Sequence, residues 1–102
     1  GAKSKNYDVL DPVTGEVFHF VEGTRIQNSQ VFAGKGGVKP LRPEVAEGLE
    51  EQIGGKASRW QHCKGYGILD FYGEDRSAEV HWFQEESVGK HKFKIKRWED
   101  EG

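Results

Sequence analysis

Apolar and polar positions along the chain keep two different periods. In "RSAEVHWFQ", residues 76–84, Ala78, Val80 and Trp82 fall on one face of an extended strand and Glu79, His81 and Phe83 on the other. "KHKFKIKRW", residues 90–98, alternates lysines with His91, Phe93, Ile95 and Arg97. With "QHCKGYGILDFYG" before them and a turn at "GED", these segments predict a meander of three antiparallel strands.

Only "PEVAEGLEEQIGG" follows the other period. Val45, Ala46, Leu49 and Ile53 form a narrow apolar stripe among glutamates, with Pro43 suited to the first turn and Gly54 and Gly55 to the end. Ahead of it, "DPVTG" separates two apolar-rich runs, which predicts a hairpin with strands at residues 7–10 and 16–21. "QVFAG" adds a short strand before "GKGG", a glycine loop without P-loop spacing whose amides and Lys35 could face a phosphate.

This order predicts an α+β fold. One principal helix packs on a twisted antiparallel sheet, covering Ala78, Val80 and Trp82, with an N-terminal hairpin and a C-terminal three-strand meander. At 102 residues the chain is a single domain spanning 1–102, with an ordered core of about 7–98 and an acidic tail, "EDEG", that ends it. Hydrophobic residues are 34% of the chain but 12% are aromatic, so a few large rings must build the core.

Charge and cysteine content narrow the function classes. The lone Cys63 has no internal disulfide partner and the longest apolar runs are too short to span a bilayer, which predicts a soluble intracellular domain without membrane contact. A net charge of −2 argues against bulk coating of nucleic acid, yet residues 89–98 hold Lys90, Lys92, Lys94, Lys96 and Arg97 without an acid. A local cationic track is expected.

Four histidines carry the candidate chemistry. A neutral imidazole accepts a proton and an imidazolium returns one, so two on one surface make a general acid-base pair. His81 sits mid-strand with Glu79 on its face to orient it, and His62 lies in "SRWQHCKGYG" beside Arg59 and Lys64 at the start of the neighbouring strand. The competing reading is a solvated sheet face. His19, between aromatics, and His91, among lysines, rank lower. No CxxC or HxxxH spacing accompanies the adjacent His62 and Cys63, so neither a metal nor another cofactor is expected. Lys94 and Lys96 would contact phosphate, and Trp60, Tyr66 or Phe83 could stack a base.

The segments "LDPVTGEVFHFVEGT", "VFAGKGG", "WQHCKGYGILD" and "AEVHWFQEESVGKHKFKIKRW" resemble a domain at the carboxyl end of phage and prophage minor head, or head-morphogenesis, proteins. Those domains have been proposed to share the metal-independent ribonuclease fold of barnase, EndoU, colicin-type tRNA nucleases and RelE. The resemblance runs from Tyr7 to Trp98 and implies His62 and His81 as site residues, with Lys64 and Glu79 as weaker matches. It implies an endoribonuclease acting on RNA such as tRNA, placed in a bacterial cytoplasm or a phage particle. A toxin-like variant would be restrained by an immunity-type inhibitor. The alternative is a non-catalytic module that binds phage head proteins or nucleic acid.

Overall fold

The computed structural model describes residues 7–99. The expected end of the chain's order within "EDEG" falls partly at residues 100–102, outside the described residues; Glu99 itself donates its N–H to Ser77 O at 2.9 Å. The strands are β1 (Asp8–Leu10), β2 (Val17–Phe20), β3 (Gln27–Gly34), β4 (Gln61–Phe71), β5 (Glu74–Glu85) and β6 (Gly89–Trp98), with α1 (Pro43–Gln52) between β3 and β4.

The α+β arrangement expected from the element order is not the fold. β1 pairs antiparallel with β2 and parallel with β6, β6 with β5, β5 with β4, and β4 returns to β2, so five strands close into a barrel. β3 pairs with β4 alone and lies outside that ring. The apolar face of β5 therefore meets other strands. Val9, Phe18, Cys63, Leu69, Ala78, Val80, Trp82, Phe93 and Ile95 form one buried cluster inside the barrel, and no helix residue belongs to it.

Closure depends on where β4 lacks side chains. A Cβ at Gly67 would come within 2.6 Å of Phe20 Cε1, and one at Gly65 within 2.5 Å of Ile26 Cγ2 and 3.0 Å of Trp82 Cη2. These glycines let the aromatic rings of β2 and β5 approach the β4 backbone. The β4–β5 turn uses Tyr72 and Gly73, both at positive φ (51° and 92°), as a two-residue primed hairpin requires; of "GED", Gly73 is in the turn and Glu74 and Asp75 already belong to β5.

The helix stands to the side. Its buried residues are Ala46 and Leu49, and its end is fixed by the wholly buried Trp60, whose indole N–H donates to Gly54 O at 2.9 Å. Glu85, also buried, ties the following loop to the β5–β6 turn. Its carboxylate accepts from Lys56 N–H at 2.8 Å, from the Ser87 hydroxyl at 2.9 Å and from the Ser87 backbone N–H. These Ser87 bonds, more than that from Lys56, hold the Glu85 carboxyl below its ordinary value. Among the described residues no helix is long and apolar enough to cross a membrane.

Candidate functional site

Strand register builds the site. On the outer face of the barrel, His81 stands between Lys64 of β4 and Lys94 of β6, each directly opposite it in its ladder. One row further along, Tyr66, Glu79 and Arg97 align; on the other side His62, Phe83 and His91 do. The face opposite Ala78, Val80 and Trp82 is thus a grid of ionisable and aromatic groups, because the barrel closes over the apolar side.

Glu79 is held from two sides. Its Oε2 lies 3.0 Å from His81 Nε2 and its Oε1 3.2 Å from Arg97 Nε, with the side chain 8% exposed. A carboxylate this buried needs such partners. With Nε2 engaged by Glu79, His81 has Nδ1 left for another partner.

His62 sits in an aromatic layer. Its ring is stacked on Phe83, with centroids 4.1 Å apart at 13°, and tilted against Phe32 at 4.3 Å. His81 stands edge-on to it at 5.8 Å and 80°. Burial, then the charges of His81, Lys94 and Lys39, push the His62 pKa from 6.5 down to about 4, so the ring is neutral at pH 7.

Both imidazoles open onto one cleft of about 550 Å³, walled by Val45 and Leu49 of α1 on one side and by Lys92, Lys94 and Lys96 of β6 on the other. β6 is not the regular strand that its lysine alternation predicts. Its register slips on either side of the Val80–Ile95 and His81–Lys94 pairs, and Lys92 takes a positive φ of 58°. Such irregularities re-aim side chains. Lys92 and Lys96 face the same cleft as Lys94, and Arg97 takes the position opposite Glu79.

Other expected participants lie elsewhere. Arg59, in a short 3-10 turn (Ala57–Arg59), is absent from the cleft lining and its charge acts on Glu85. Lys64 is in register with His81 but does not line the cleft. Trp60 is wholly buried and offers no ring to a base. The "GKGG" amides are largely taken: Gly34 N–H donates to Lys39 O, Lys35 N–H to Trp60 O and Gly37 N–H to Gly34 O. His19 is paired with Asp8 at 2.8 Å on β2, and His91 Nε2 is 2.7 Å from Val88 O.

Cys63 points into the barrel, and burial pushes its thiol up to about 11, which leaves it protonated and inert at neutral pH. Among the described residues no three His, Cys, Asp or Glu side chains converge on a point that could hold a metal. Phe32 and Arg97 are site residues that the sequence pattern does not single out. A register irregularity between Val31 and Ala33 turns Phe32 onto the outer face, and nothing in "QVFAG" marks it. Arg97 falls with His91, Phe93 and Ile95 in the alternation, and only the slip between Glu79 and Val80 brings it, in place of Lys96, opposite Glu79.

No protein-family model, curated protein sequence or solved structure matches the chain.

Proposed function

We propose that the domain is a metal-independent endoribonuclease, acting on RNA through His62 and His81. The observation that carries this reading is the pair itself. A histidine kept neutral at pH 7 faces, at 5.8 Å, a second histidine oriented by a carboxylate, both on the floor of a lysine-walled cleft.

In this reading His62 accepts the proton of a ribose 2′-hydroxyl as that oxygen attacks the adjacent phosphorus. His81 gives a proton from Nδ1 to the departing 5′-oxygen. The P–O5′ bond breaks as the P–O2′ bond forms, leaving a 2′,3′-cyclic phosphate and a 5′-hydroxyl. A base with a pKa near 4 is always available but weak. Burial, the leading cause of the depression, stays, but a phosphate in the cleft raises the ring's basicity in part, since its charge offsets those of His81, Lys94 and Lys39.

Lys94 is suited to stabilise the charge growing on the phosphate oxygens, with Lys92 and Lys96 guiding the strand. The row Lys64–His81–Lys94 also favours an anionic ligand, because basic groups directly opposite one another across a sheet repel until an anion separates them. The RNA class and the phage-particle setting rest on the sequence resemblance.

The test is incubation with total tRNA and a structured RNA in EDTA, comparing the protein with His62→Ala and His81→Ala. Cleavage to cyclic phosphate that survives chelation and is lost in both variants supports the reading. Intact RNA at high protein concentration overturns it and leaves a nucleic-acid-binding module.

A further inference from the structure

A second hollow lies along the same outer face, beyond Glu79. Its volume is about 440 Å³ and it is lined by Arg25, Gln27, Tyr66, Ile68 and Ser77, with the bare backbones of Gly23 and Gly67. Tyr66 is half-buried, leaving part of its ring accessible, and Ile68 is 38% exposed beside it on β4. Arg25 is exposed and enters no ion pair among the described residues.

Register fixes the distance from the histidine pair. Tyr66 is opposite Glu79 and Lys64 is opposite His81, so Tyr66 is the diagonal neighbour of His81, roughly 7 to 8 Å away between Cα atoms. That is close to the reach of one nucleotide in an extended single strand. The intervening Glu79 is already neutralised by Arg97 and His81, so an anionic backbone crossing it meets no free carboxylate.

The contents of the hollow match a nucleotide. A partly open ring beside an aliphatic side chain gives a stacking surface, with Gln27 and Ser77 at its edge to hydrogen-bond a base and Arg25 to meet a phosphate. In the first cleft Phe83 lines the wall, but its ring is already stacked on His62.

We propose that this hollow is a nucleotide subsite that stacks the base of the RNA residue flanking the scissile phosphate on Tyr66 and binds the next phosphate at Arg25. It rests on the ribonuclease reading for its role, though not for its occupancy. The site accepts a base of either size through its face and leaves cleavage to the histidines.

The experiment separates the two. A fluorescein-labelled 2′-O-methyl RNA heptamer, which cannot be cleaved because its 2′-oxygen is blocked, is titrated by anisotropy into the wild type, Tyr66→Ala, Tyr66→Phe and Arg25→Ala, each checked for folding by circular dichroism. Tyr66→Ala should weaken binding about tenfold and Tyr66→Phe should not, because the stacking ring is kept. Arg25→Ala should weaken binding and lower the slope of log affinity against log salt by about 0.7. Equal affinities for all four proteins, or no binding by any, overturn the subsite. Should Tyr66→Ala misfold, Tyr66→Leu and Arg25→Ala carry the same comparison. Unmodified RNA left intact by the wild type, with the Tyr66 dependence present, overturns the ribonuclease reading alone.

Discussion

The His62 imidazole lies flat on the Phe83 ring, 4.1 Å between centroids and 13° from parallel, and this contact ties proton chemistry to packing. Water excluded by Phe83 is water that cannot solvate a charged imidazole. Replacing Phe83 by Ala should therefore raise the His62 pKa from about 4 toward its ordinary 6.5, since burial is the leading cause of the depression. NMR titration of the His62 ring protons measures this; an unchanged value would mean that neighbouring charge and not burial governs the ring.

Stability should carry the same signature. His62 binds its proton less readily folded, at about 4, than unfolded, at 6.5, so between these values the unfolded chain holds more protons and stability falls as pH is lowered. The fall should begin near pH 6.5 and this contribution should level off below about pH 4. Urea midpoints across that range, compared with His62→Gln, isolate it: the variant should lose most of the slope above pH 5. Glu85 acts lower. Its carboxyl is held below its ordinary 4.5, so its contribution is complete above that value and is lost as pH falls through the folded value, a limb that Glu85→Gln should abolish.

Barrel closure has its own test. Gly67→Ala places a methyl group 2.6 Å from Phe20 Cε1, and overpacking of this kind costs roughly 1 to 3 kcal/mol. Chemical denaturation should show that loss, whereas Gly48→Ala, on α1 with open space beside it, should be neutral or stabilising. If the two variants are equally stable, β2 does not approach β4 as described.

Lys94 should act on cleavage more than on binding. Removing a donor placed for charge developing in the transition state costs about a hundredfold in rate. Lys94→Ala, assayed beside Lys92→Ala, should show the larger fall in single-turnover cleavage, while both reduce the salt dependence of oligonucleotide binding by about the same amount, near 0.7 in slope. Equal cleavage defects would remove Lys94 from any special position opposite His81.

Local periodicity was enough to find most elements. "PEVAEGLEEQIGG" carries its proline, stripe and closing glycines within its own length, and α1 spans Pro43–Gln52. Likewise the alternation in "AEVHWFQ" separates Ala78, Val80 and Trp82, all buried, from His81 and Phe83, which are half-buried. What alternation cannot state is the identity of the cover. The apolar side of β5 asks for a partner, and a helix or a second set of strands answers equally well; the decision lies in Gly65 and Gly67 admitting Ile26, Trp82 and Phe20, a relation between distant segments. The site shows the same division. Glu79 and His81 are two residues apart and their contact follows from pleat alone, and Lys92, Lys94 and Lys96 line one cleft as their alternation suggests, whereas Phe32 and Arg97 depend on slips of register in β3 and β6 that leave no mark in composition.

β3 is bonded to the barrel along β4 only, apart from a single bridge from Ala33 to Lys39, and yet it brings Phe32 to His62 and Gln27 to Tyr66. Closure of the ring does not need it. On the ribonuclease reading, exchanging the outward residues of this one strand, with the inward-packed Val31 and the buried Ala33 kept, would retune what the outer face accepts while the five-stranded ring stays closed.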